Sequence, residues 1–152
     1  MTMSDKDSIT FEIHIAAPPE RVFQALTNKA ELVRWFTDEN TPVHHWEIDA
    51  RLGGRYHYYT DEATAQVNNV RAFECQGEIV EFDPPRVLAY TWIANWHADK
   101  SRVTVVRWEL FAESGGTRVK VTHTGLENED VAREDYRGGW PGVLKMLKIF
   151  LG

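Results

Sequence analysis

Six tryptophans, Trp35, Trp46, Trp92, Trp96, Trp108 and Trp140, are the side chains of this sequence with most to offer a binding site. Each couples a broad apolar face to a single N–H donor, so rings converging from distant segments can desolvate a guest and fix one polar atom of it. Together with phenolic and phenyl neighbours they give a candidate wall of Trp35, Phe36, Trp46, Tyr56, Tyr58, Tyr90, Trp92, Trp108 and Trp140. The competing reading is that these rings fill the interior themselves, as core side chains do. Trp96 falls either near the mouth of such a pocket or in a loop.

His123 is the titratable residue of most interest. It follows Val119 and Val121 on one parity of a strand, so its imidazole points toward the covered face. There it would orient a ligand oxygen or move a proton near neutral pH, or else be a core histidine bonded to backbone or to a tyrosine hydroxyl. Asp49 and Arg51 form a possible carboxylate–guanidinium pair ahead of Gly53-Gly54, suited to a polar ligand end or simply to stabilising a turn. His44, His45 and His57 could meet across a hairpin, but adjacent strand residues point to opposite faces and no HExxH or cysteine pair accompanies them. Cys75 and the serines lack a partner His or Asp at a recognisable spacing, and no GxSxG elbow, phosphate loop or dinucleotide fingerprint occurs. No catalytic residue, metal or cofactor is expected on these grounds.

Composition narrows the classes further. The length of 152 residues suits one domain, expected over 9–152 behind a disordered N-terminus over 1–8. A net charge of −6 argues against a nucleic-acid backbone binder or a polybasic membrane surface. The lone Cys75 rules out an internal disulfide. Met1 to Ser8 is short and polar, unlike a signal peptide, and no apolar run reaches the ~20 residues of a membrane span. The expectation is a cytoplasmic monomer or homodimer with no membrane insertion.

The elements that must position the rings read as follows. Ile9 to Ile15 is apolar at every odd position, the period of a half-buried strand. Pro18-Pro19 ends it and opens a short helix carrying Val22, Phe23 and Leu26; Asn28 and Glu31 make a capping box for a second short helix with Leu32, Trp35 and Phe36. From His45 to Thr124 the pattern is mostly strand. Turns are expected at Gly53-Gly54, Asp83-Pro84-Pro85 and Ser114-Gly115-Gly116, and a long exposed loop at Asp61 to Asn69. Gly77 marks a bulge or a close approach. Trp140, Leu144, Leu147 and Leu151 fall at i, i+4, i+7 and i+11, one stripe of a terminal helix, with a kink or break expected at Gly138-Gly139 and Pro141. The economical solution is α+β: a curved antiparallel sheet of about six to seven strands wrapped around a long C-terminal helix, with two short helices after strand 1. Such a pairing tends to leave a cavity between sheet and helix.

Several ordered segments then resemble a known family: Ala17-Pro18-Pro19-Glu20-Arg21-Val22-Phe23, Trp35-Phe36, Leu52-Gly53-Gly54-Arg55-Tyr56, Gly77-Glu78-Ile79, Tyr90-Thr91-Trp92, Thr104 to Leu110, Thr122-His123-Thr124-Gly125-Leu126 and Gly139-Trp140. Together they are similar to the domain at the C-terminus of the activator of Hsp90 ATPase, within the START-like, Bet v 1-like (SRPBCC) superfamily. The resemblance spans about Ile9 to Leu151. It implies a helix-grip fold with an internal pocket. For activity it implies a carrier of a small hydrophobic or amphipathic ligand, a stress-response co-chaperone partnering Hsp90, or a cyclase- or dehydratase-like enzyme in which His123 moves a proton. The chain lacks the length for the separate N-terminal Hsp90-binding domain of the eukaryotic activator, which weighs against a full co-chaperone role.

Overall fold

A computed structural model describes residues 7–152, with residues 64 and 65 described by backbone alone. The expected disordered N-terminus lies outside the described residues except at Asp7 and Ser8, and the Asp7 carbonyl accepts the Leu126 N–H at 2.9 Å. The order is β1 (Ile9–Ile15), α1 (Pro19–Thr27), α2 (Lys29–Trp35), β2 (Val43–Ile48), β3 (Arg55–Val67), β4 (Val70–Asp83), β5 (Val87–Ala94), β6 (Thr104–Glu113), β7 (Gly116–Thr124) and α3 (Asp130–Leu151). All seven strands form one antiparallel sheet in the order β1-β7-β6-β5-β4-β3-β2. Strands β2 to β7 are a continuous meander, and β1 closes onto β7 with Ile9 opposite His123 and Ile15 opposite Thr117.

Alternation decides which face of this curved sheet is covered. On β6, Thr104, Val106, Trp108 and Leu110 are buried, and on β7 Thr117, Val119, Val121 and His123. Register stacks Val106 against His123 and Trp108 against Val121, so the inward residues form continuous rows across the sheet. The outward positions carry ion pairs such as Arg107 with Glu81 and Arg118 with Glu12.

Helix α3 lies along that inner face with Ala132, Tyr136, Trp140, Leu144 and Leu147 buried. It runs unbroken for 22 residues, so the expected kink at Gly138-Gly139 and Pro141 does not produce two pieces. Pro141 removes one intrahelical donor, but both Pro141 and the Arg137 whose carbonyl it would have bonded are exposed, and water can take that carbonyl. The buried stripe of Ala132, Tyr136, Trp140, Leu144 and Leu147 packs the helix onto the sheet, a case of tertiary packing overriding propensity.

The expected loop over Asp61 to Asn69 is instead strand. β3 runs to Val67, turns at Asn68 and Asn69, and returns as β4. Both asparagines adopt left-handed φ values of 48° and 66°, the conformation an I′-like hairpin turn needs and one that Asn tolerates. The register slips between Tyr59 and Glu62 and again before Val67, which hid the period-two pattern. Gly77 makes a close approach: a Cβ there would sit 1.9 Å from the Thr91 carbonyl oxygen. The capping box is half formed. Asn28 accepts the Glu31 N–H at 3.1 Å, while the Glu31 carboxylate turns to Arg21 (2.6 Å) and Gln24 (2.7 Å) and pins α2 to α1.

Candidate ligand cavity

A cavity of about 290 Å³ lies between the β3–β4 hairpin and α3. Four segments build it. The α2–β2 connection and the first residue of β2 give Phe36, Thr37, Asp38, Thr41 and Val43; the hairpin gives Tyr58, Thr60, Val67 and Phe73. Trp92 on β5 and Trp96 in the following loop form the floor, and α3 supplies Tyr136, Trp140, Val143 and Met146 together with Asp135 and the glycines 138, 139 and 142. A Cβ added at any of those three glycines would meet nothing within 4 Å, so they open the helix side of the cavity.

Of the ten residues expected at a site, Phe36, Tyr58, Trp92 and Trp140 line this cavity. The other six are buried but lie behind it. Trp35 donates its indole N–H to the Ala25 carbonyl at 2.9 Å and cements α2 to α1. Trp46 stacks on Tyr58 with centroids 4.7 Å apart, and its Nε1 has no partner among the described residues. The Tyr56 hydroxyl donates to the Thr91 carbonyl at 2.6 Å. Trp108 donates its indole N–H to the Tyr90 hydroxyl at 2.9 Å, which satisfies the indole donor inside the core.

His123 is fully buried, and its bonds assign its tautomer. The Trp140 indole N–H donates to Nδ1 at 3.1 Å, so Nδ1 carries no proton. Nε2 therefore bears it and donates to the Thr104 hydroxyl at 2.8 Å, which in turn donates to the Trp92 carbonyl at 2.8 Å. Neither nitrogen is left for a guest. Burial, reinforced by nearby His97, pushes the imidazole pKa well below its ordinary value, which keeps the ring neutral. The partners differ from the backbone or tyrosine hydroxyl expected for a core histidine.

A second polar knot holds the floor. The Tyr136 hydroxyl accepts the Trp92 indole N–H at 3.0 Å and meets His97 Nε2 at 2.7 Å. Since the hydroxyl hydrogen has no other acceptor among the described residues, it goes to Nε2, leaving the His97 Nδ1–H, which has no partner there. The buried Trp96 N–H has no hydrogen-bond partner among the described residues. Burial lowers the His97 pKa and raises that of Tyr136. The loop carrying Trp96 and His97 is anchored from outside by the buried Glu129 carboxylate, which accepts the N–H groups of Ala98 (2.7 Å) and Asp99 (3.0 Å) and the Arg102 guanidinium (3.2 Å). Asn68 at the hairpin tip adds a bond to the Trp96 carbonyl at 2.9 Å.

Sequence reasoning missed Tyr136, Phe73, Thr60 and Asp135. Tyr136 sits at i−4 from Trp140 and extends the stripe one turn upstream; the Gly-Gly-Trp-Pro run concealed it. Thr60 and Phe73 fall on segments with a strand pattern, outside the loop expected at Asp61 to Asn69. Asp49 and Arg51 pair at 2.7 Å in the exposed turn after β2, away from the cavity. His45 and His57 bring their rings to 5.4 Å on the outer face, and among the described residues no three His, Cys, Asp or Glu side chains converge to hold a metal.

A family model described as activator of Hsp90 ATPase homolog 1-like protein matches residues 16–152. The chain belongs to that family. The match takes in every cavity-lining segment. Among solved structures, protein CV1439 from Chromobacterium violaceum is similar with a TM-score of 0.80 and 24% identity, over 95% of this chain and 97% of that one. The AHSA1-like protein from Aeromonas hydrophila has a TM-score of 0.74 and 22% identity, over 94% and 90%. CalU16 from Micromonospora echinospora has a TM-score of 0.67 and 22% identity, over 95% and 76%. At these identities the likeness is one of fold. No curated protein matches the chain. No helix among the described residues is long and apolar enough to cross a membrane.

Proposed function

We propose that this AHSA1-like chain binds a small hydrophobic or amphipathic molecule between its sheet and α3. The observation that carries the reading is an unfilled volume of about 290 Å³ walled by seven aromatic rings. Packed interiors leave few voids, and a dry ~150 Å³ cavity already takes up benzene. A space about twice that suits a two-ring guest, near the lower bound for small-molecule pockets. The rings desolvate the guest, and Tyr58 and Thr60 line the hairpin wall, where the Thr60 hydroxyl accepts the Phe73 N–H at 3.0 Å. The polar knots around Tyr136 and His123 keep the floor rigid. Both His123 nitrogens are engaged, which favours binding over proton-transfer chemistry at this ring. The proposed role is a cytoplasmic one, a compartment that suits a single free, buried Cys75.

Calorimetric titration with naphthol tests the reading. Wild type binds it, and Gly139→Phe, whose new ring enters open space at the cavity edge, binds at least about tenfold more weakly with an unchanged fold. Equal affinities remove the cavity from the function. The family description brings a second reading, contact with an Hsp90-type chaperone. It requires that the purified chain stimulate the Hsp90 ATPase, and Gly139→Phe to leave that stimulation intact.

A further inference from the structure

The lining of the cavity is charged in one sense only. It includes two carboxylates, Asp38 and Asp135, and among the described residues lining it there is no Lys, Arg or His. Asp38 is partly used within its own loop, since its Oδ1 accepts the N–H groups of Asn40 and Thr41 at 2.8 and 2.7 Å. Asp135 differs. The ion pairs of this stretch of α3 join Arg133 to Asp130 and Arg137 to Glu134, and Asp135 has no cationic or hydrogen-bonding partner among the described residues. The residue is exposed overall, yet the protein mass around its carboxyl raises its pKa, with no neighbouring charge to offset that burial. The same lining holds the electron-rich rings of Tyr58, Trp96 and Tyr136, which attract cations and repel anions.

We propose that the guest of this cavity is a cationic aromatic amphiphile: an amine on a one- or two-ring body, its ammonium held at Asp135 and its rings among Tyr58, Trp96 and Tyr136. The assignment rests on the binding role proposed above and narrows it to a ligand class. A fatty acid or other anion would bring its carboxylate to a wall holding two carboxylates and no cation, and like charges there oppose binding. An ammonium replaces its lost water with a carboxylate and with aromatic faces.

Three probes of matched size separate this from the binding role itself: naphthylethylamine, naphthylethanol and naphthylacetate, each titrated into wild type, Asp135→Asn and Glu127→Gln. Glu127 is exposed and absent from the lining, so its variant changes the net charge equally without touching the cavity. In wild type the amine binds at least about tenfold more tightly than the acetate, and the neutral alcohol falls between. Asp135→Asn brings the amine-to-acetate ratio to about threefold or less while leaving the alcohol unchanged; Glu127→Gln preserves the wild-type ratio. Acetate binding as tightly as the amine overturns the assignment, as does an amine preference that Asp135→Asn does not reduce or that Glu127→Gln reduces equally, and in each case binding of the alcohol keeps the cavity role standing. If none of the three binds, the cavity role falls and this assignment with it.

Discussion

The indole N–H of Trp140 donates to Nδ1 of His123 at 3.1 Å, tying the middle of the terminal helix to the last strand through an imidazole fixed in one tautomer. One face of Trp140 belongs to the cavity wall and its donor belongs to the core. The same side chain therefore closes the site and orients the helix that carries half of it.

His123 is predicted to stay neutral, protonated at Nε2, well below the ordinary imidazole range. Because its folded-state pKa is depressed, the unfolded chain takes up a proton that the native state refuses as pH falls below about 6.5. Stability is thus full above that pH and declines below it, by up to about 1.4 kcal/mol per pH unit for each such imidazole, His97 acting in the same direction. Imidazole NMR and urea unfolding between neutral and mildly acid pH check both statements. Titration of His123 near the ordinary value would contradict them.

Glu129→Ala should loosen the Trp96–His97 loop. It strands two backbone N–H groups and the Arg102 guanidinium, and because Arg102 keeps 28% side-chain exposure the loss is about 2–3 kcal/mol, below the ~3–5 of a fully buried pair. Denaturant unfolding gives the magnitude. Hydrogen exchange should quicken from residue 96 to residue 102 and leave β6 and β7 protected until global opening.

Trp108→Ala and Trp96→Ala should separate stability from binding. Trp108 is buried in the core with its donor on Tyr90, so its truncation costs about 3–5 kcal/mol while the residual folded protein binds an aromatic probe with near wild-type affinity. Trp96 lines the cavity, and its truncation weakens binding at least about tenfold. Unfolding curves and calorimetry on the same samples decide it.

Gly139→Ala should stabilise α3 by up to about 1 kcal/mol, since the position is helical and the added methyl meets no atom. Thermal unfolding reports the gain. A loss would mean that the helix surface there is closed.

Much of this architecture was legible wherever the burial pattern was regular. β1, β6 and β7 alternate cleanly, and the helical stripe from Trp140 onward matches the buried face. Legibility failed where local chemistry and tertiary packing disagreed. Asp61 to Asn69 is polar enough for a loop, yet the bulges keep Ala63 and Val67 inward while the acidic residues face out. Gly138, Gly139 and Pro141 are helix breakers in isolation, yet all three are helical here and the two glycines line the cavity edge. For the site, residue type identified the right population of rings but not their depth: Trp92 and Trp108 both point inward on the sheet, and only the first reaches the empty volume. That distinction depends on the curvature of the sheet and the placement of α3, which no single-strand pattern encodes.

The most direct test is a heteronuclear NMR titration of the chain with naphthol. Saturable shifts confined to the Tyr58, Trp96, Tyr136 and Gly139 signals, with the outer-face His45 and His57 unmoved, are the predicted result. No saturable shift at these four, or shifts centred on the outer face of the sheet, would contradict a guest held between sheet and helix.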